Sequence, residues 1–143
     1  MKPMITQELR KNRSAPREIR ALSFCLLLVS LHSIFMGLFI YFFTELFYRI
    51  IFEADIENLF FVRQAGLFLV CLFLFYAAPL FDLKRWHPLV VMVILTKVLA
   101  VLFLLLNARL TPVPMITFLA SALDGAMALL LAVLYRRALP LLK

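Results

Sequence analysis

Long apolar runs interrupted by single ionisable residues set the pattern of this chain. Four of them stand out against the roughly 20 apolar residues that a helix needs to cross a bilayer. They run from Ala21 to Thr44 (broken by His32), from Leu59 to Leu80 (broken by Arg63 and Gln64), from Pro88 to Leu106 (broken by Lys97) and from Pro114 to Tyr135 (broken by Asp124). The first run is expected to continue as helix towards Tyr48. No alternation of period two occurs, so a β-barrel has no support. The pattern therefore predicts an all-α, polytopic membrane protein, a bundle of four transmembrane helices over 21–48, 59–80, 88–106 and 114–135. A basic segment, 1–20, precedes the bundle, and a short tail, 140–143, follows it. Pro88 and Pro114 suit the first turn of a helix, Thr111 suits a cap before the fourth helix, and Pro79 suits the end of the second.

Composition agrees with lipid as the solvent. The 143 residues, enough for one compact unit, are 65% hydrophobic and 16% charged, with a mean hydropathy of +1.02. Soluble domains average roughly 45–50% apolar and 25% charged residues. The two cysteines, Cys25 and Cys71, lie inside apolar runs and have no Cys or His at a metal spacing, so they read as small packing or lipid-facing residues.

Charge orients the bundle. Lys2, Arg10, Lys11, Arg13, Arg17, Arg20, Lys84, Arg85, Arg136, Arg137 and Lys143 fall on one side, against Arg49 and Arg109 on the other. The positive-inside rule then puts both termini and the Lys84 loop in the cytoplasm, which implies the cytoplasmic (inner) membrane. The basic start and the apolar run after it resemble a signal peptide. That run is longer than a 7–15-residue signal core and lacks a small-x-small cleavage site, so it reads as an uncleaved first span. The basic segment serves as a topology determinant with loose attraction to anionic lipid; a nucleic-acid contact is the weaker alternative. Glu53, Asp55 and Glu57 give the first outer loop the opposite sign.

Three ionisable residues lie deep in these spans. Counted at 1.5 Å per residue from the nearer span end, His32 is about 16 Å in, Lys97 about 14 Å and Asp124 about 15 Å. Half of a roughly 30 Å hydrocarbon core is about 15 Å, so all three fall near the midplane. A charge there costs about 2.5–3.5 kcal/mol even on lenient insertion scales. Lys97 should therefore face the bundle and pair with Asp124, with His32 as a third member. Such a pair either glues helices together or forms a proton relay or a polar binding spot. His32 is expected to be a satisfied interior histidine, bonded to a backbone carbonyl or to Thr96 or Ser121, rather than a haem or chlorophyll ligand.

A second polar set, Glu45, Arg49, Arg63 and Gln64, lies near the outer interface. Glu45 and Arg49 are spaced i, i+4, and Arg63 can reach back to Glu45 as an interfacial salt bridge or else hold a lipid phosphate or anionic ligand. In the fourth span Ser121, Gly125, Ala128 and Ala132 form a small-residue stripe that admits a close helix neighbour. Phe35, Phe39, Phe42 and Phe43 read as lipid-facing and packing bulk. Trp86 and Tyr135 suit the cytoplasmic interface, and Tyr48 the outer one.

No phosphate-binding glycine loop, nucleophile elbow, HExxH or CxxC occurs, and the three glycines, Gly37, Gly66 and Gly125, could not build the first two. No catalytic residue, metal ligand set or cofactor is therefore assigned. Arg63-x-x-Gly66 opening the second helix, Asp82 after it, Lys97 in the third and Asp124 in the fourth give the stretch from Arg63 to Arg137 a resemblance to small, DoxX-like four-span bacterial inner-membrane proteins. The resemblance implies a four-helix bundle and carries no activity across. Small multidrug transporters share four short spans, but their essential acidic residue in the first has no counterpart here. The leading functional expectation is a non-enzymatic accessory or interaction subunit, in contact with membrane lipids and with a membrane-protein partner or further copies of itself. The alternative is a small transporter or a binder of lipid or another hydrophobic ligand at the midplane polar residues. A membrane enzyme comes third.

Overall fold

The structure, a computed structural model, describes residues 16–52 and 58–143. Lys2, Arg10, Lys11, Arg13, Glu53, Asp55 and Glu57 lie outside those residues. Five helices make up the described chain: α1 (Arg17–Phe42), α2 (Thr44–Phe52), α3 (Phe60–Phe81), α4 (Leu83–Leu110) and α5 (Met115–Leu142). All but α2 are long and apolar enough to cross a membrane. Their outer faces are as apolar as their inner ones, with Phe35, Phe61, Leu99 and Leu129 all exposed. A helix that is hydrophobic all round needs lipid outside. The fold is an all-α bundle of four membrane-spanning helices.

Consecutive long helices are neighbours, and α1 closes the ring against α5. The tightest crossing joins α1 to α3 at Gly37 and Gly66. A Cβ on Gly37 would stand 2.8 Å from the Gly66 carbonyl oxygen, and a Cβ on Gly66 would stand 2.8 Å from that of Gly37. Close by, Ser33 Oγ donates to the Leu69 carbonyl across the same interface at 3.0 Å. Small residues and an interhelical hydrogen bond replace the hydrophobic drive that lipid removes.

Packing is uneven along the bundle. Leu22, Leu26 and Val29 of α1, Tyr76 of α3, Val90 and Val93 of α4, and Leu131, Ala138 and Leu142 of α5 form one buried cluster. Every one of them lies in the half of its helix nearer the end that carries Arg17 and Leu142. That half holds the buried cluster, with a cavity of about 290 Å³ beside it between α3 and α4 at Tyr76, Val93 and Thr96. The other half holds a cavity of about 500 Å³, which makes the site described below.

Several helix boundaries depart from the sequence expectation for local reasons. The first span does not run unbroken to Tyr48. Phe43 leaves helical geometry (φ −114°, ψ 39°), and the Thr44 hydroxyl turns back to the carbonyls of Ile40 (2.7 Å) and Tyr41 (3.0 Å). The chain then restarts as α2. The third span begins at Leu83, before Pro88, because the extended Asp82 caps it, its Oδ1 accepting from the Arg85 N–H at 3.1 Å. Pro79 lies inside the last turn of α3 and does not end it. Thr111 terminates α4, its hydroxyl donating to the Asn107 carbonyl at 3.1 Å, and does not cap the next helix. Pro114 precedes α5 at its N-cap, and α5 continues as helix through Pro140 to Leu142.

Candidate intramembrane site

Lys97 and Asp124 face each other across adjacent helices. Lys97 projects from the middle of α4, and its Nζ donates to Asp124 Oδ1 of α5 at 2.5 Å. The two side chains keep only 7% and 18% of their surface accessible. Pairing is the physical solution for two opposite charges at this depth, because removing either from water without the other would cost several kcal/mol, roughly, per ion. The pairing expected from the sequence is what the bundle contains.

His32 joins them from α1, on the same side of the bundle interior. Its Nδ1 is buried and has no hydrogen-bond partner. This corrects the expectation of a satisfied histidine. Thr96 is occupied within its own helix, its hydroxyl donating to the Met92 carbonyl at 2.8 Å, and neither it nor Ser121 pairs with Nδ1. A buried polar atom left unpaired costs about 1–3 kcal/mol.

All three residues line one cavity of about 500 Å³, within the range of roughly 300–1,000 Å³ typical of ligand sites. Its walls are Ser33, Met36 and Ile40 of α1, Leu69 of α3, Leu104 of α4, and Ile116, Leu119, Ala120 and Leu123 of α5. Apart from the Ser33 hydroxyl, which is already bonded to Leu69, the wall side chains are apolar. Leu119 and Leu123 stay 61% and 50% exposed, so the space communicates with the outside of the bundle. The cavity is therefore apolar along its length and polar at its inner end, where His32 and the Lys97–Asp124 pair line it next to the buried cluster.

The wall residues were not singled out in the sequence, yet a signal for them exists. Ile116, Leu119, Ala120 and Leu123 step down α5 by three and four residues to Asp124, and Ile40 and Met36 do the same on α1 to His32. Residues at these spacings share one face of a helix. Finding a midplane carboxylate also finds the apolar face that leads to it.

The remaining candidates are not brought into this site. Glu45 and Arg49 lie on α2, and Arg63 and Gln64 open α3. Glu45 and Arg63 are exposed, and among the described residues no ion pair joins them. The glycine crossing, not a salt bridge, ties α1 to α3. In the small-residue stripe Ser121 and Ala128 are buried while Gly125 and Ala132 are half-buried. A Cβ on Gly125 would meet only Val101 Cγ2 at 3.7 Å, an ordinary contact, so this stripe is not where helices come closest. Phe35, Phe42 and Phe43 are exposed, and Phe39 stacks between Phe35 (6.4 Å) and Phe43 (5.8 Å) in an aromatic row outside the cavity. Towards the Arg17/Leu142 end, Tyr135 pairs with His87 (Oη to Nδ1, 3.0 Å) and Arg85 lies 5.1 Å over the Trp86 ring. Cys25 is buried and Cys71 exposed, both as free thiols. Among the described residues, no three His, Cys, Asp or Glu side chains converge as a metal set.

Comparison of the chain with protein-family models, curated proteins and solved structures finds no match.

Proposed function

We propose that this protein binds a small, mostly apolar, membrane-soluble molecule in the cavity between α1, α4 and α5, with the ligand's polar end at His32, Lys97 and Asp124. The observation that carries this reading is the unpaired, buried His32 Nδ1 on a residue that lines an apolar, accessible space. A purely structural polar cluster has every reason to be closed. Buried polar groups without partners are rare in folded proteins, and those that persist call for a specific cause. A ligand that arrives and leaves supplies one.

The basic residues orient this binding protein in the cytoplasmic membrane with both described ends of the bundle, at Arg17 and Leu142, facing inwards. The buried cluster then lies in the cytoplasmic half and the cavity at His32, Lys97 and Asp124 opens within the outer half of the bilayer. A ligand would exchange with the outer leaflet, as the binding step of a carrier or a small transporter. No chemistry on the ligand is needed. An accessory subunit, the other reading, uses the same cleft to receive a helix of a partner.

Native mass spectrometry of protein extracted gently from its own membranes tests the two. A bundle that retains one small molecule, and loses it in Ala120→Trp, supports the binding role. A bundle that carries no adduct but keeps a second protein at fixed stoichiometry supports the accessory role and removes the first.

A further inference from the structure

Resting on the cavity reading, we infer that the occupant is an uncharged amphiphile with a hydroxyl head, a membrane-soluble alcohol or phenol whose hydroxyl accepts from Lys97 and donates to His32 Nδ1 once the imidazole turns that buried atom towards the cavity.

Charge comes first. Lys97 and Asp124 are the two charged residues among the lining side chains, and they neutralise each other in direct contact. An anionic head would meet a lysine already engaged and a carboxylate beside it. A cationic head would meet the reverse. Either would also bring an uncompensated charge to the midplane, where the penalty is several kcal/mol in order of magnitude. Phosphate, free carboxylate and ammonium heads are disfavoured together.

Hydrogen-bond capacity narrows the head further. An ammonium group has three N–H donors, and one of those on Lys97 is spent on Asp124. A neutral imidazole that carries its proton on Nε2 presents Nδ1 as an acceptor, and this Nδ1 has no donor. The site thus holds a donor on Lys97 and, in that tautomer, an acceptor on His32 that a turn of the ring brings to the cavity wall. A hydroxyl is the smallest head that answers both at once. An ether or ketone head accepts from Lys97 but leaves His32 as it stands.

The test uses four probes with one hexadecyl tail, competed for the full-length protein in lipid nanodiscs: hexadecan-1-ol, its methyl ether, hexadecyl phosphate and hexadecylammonium. The alcohol is expected to bind about tenfold tighter than each of the others, the scale of one well-placed hydrogen bond. In His32→Phe the alcohol is expected to fall to the level of the ether, with thermal unfolding followed by circular dichroism reporting that the variant is folded. Tighter binding of the phosphate or the ammonium overturns the uncharged head but leaves the cavity reading in place. Equal binding of alcohol and ether overturns the bond to His32. Should no probe bind saturably, or all bind Ala120→Trp as well as the natural chain, the cavity reading fails and this inference with it.

Discussion

Gly37 and Gly66 lie backbone to backbone where α1 crosses α3, each placed so that a methyl group would stand 2.8 Å from the other's carbonyl oxygen. The contacts are with main-chain atoms, which cannot swing aside, so relief requires the helices to separate. Overpacking of this kind typically costs about 1–3 kcal/mol, partly offset by the roughly 1 kcal/mol that alanine gains over glycine inside a helix. Gly37→Ala and Gly66→Ala should each lose stability on unfolding in mixed micelles. Gly125→Ala should be neutral or gain up to about 1 kcal/mol, because its new Cβ meets Val101 at 3.7 Å without a clash. Equal responses at the three glycines would mean that α1 and α3 do not approach this closely.

The Lys97–Asp124 pair makes a sharper forecast through non-additivity. Lys97→Met leaves a carboxylate in the interior, and Asp124→Leu leaves an ammonium. Each single change should cost about 3–5 kcal/mol, the usual penalty for stranding one partner of a buried pair. The double variant removes both charges and should recover most of that loss. A double-mutant cycle on abundance and unfolding free energy reads the coupling directly. Losses that simply add would show that the two charges are satisfied separately.

Helix entry at α4 depends on a single side chain. Asp82 is the one residue between α3 and α4, and its carboxylate holds the Arg85 N–H. Asp82→Ala should destabilise the bundle by about 0.5–2 kcal/mol, while Asp82→Asn, an equally good cap, should cost far less. Thermal unfolding of the two variants side by side separates capping from loss of charge. Matching losses would assign the effect to charge instead.

How much of this was legible in the sequence follows from which physics each feature obeys. Span number and the Lys97–Asp124 pairing were readable, because apolar length and the expense of a midplane charge act locally and leave few solutions. Helix ends are less legible. A proline at the start of an apolar run looks like a first turn, but at Pro88 the signal that counted was the capping carboxylate of Asp82, six residues earlier. The stripe at Gly125 marks a face that admits a neighbour, but the tightest crossing lies at Gly37 and Gly66. Spacing along one helix says which residues share a face and not which partner helix comes near, so Gly37 and Gly66, isolated in two different helices, carried no periodic mark. The unpaired histidine was invisible for the same reason. Whether a nitrogen finds a partner depends on how α1, α4 and α5 pack around it, and that is a property of the assembled bundle.

His32 separates binding from stability most cleanly. Its buried Nδ1 has no hydrogen-bond partner within the bundle, so replacing the ring with one of similar size and no polar atom removes a penalty of about 1–3 kcal/mol. His32→Phe should therefore unfold at a higher temperature than the natural chain when no ligand is added. Hexadecan-1-ol should reverse the order of response. It stabilises the natural chain through binding to the folded state alone, and it stabilises His32→Phe much less, because the variant has lost the acceptor. A variant more robust but less responsive is the signature of a polar atom kept for a ligand. Loss of stability in His32→Phe without ligand would mean that Nδ1 is already paired within the bundle, and the ligand would then have no acceptor to claim there.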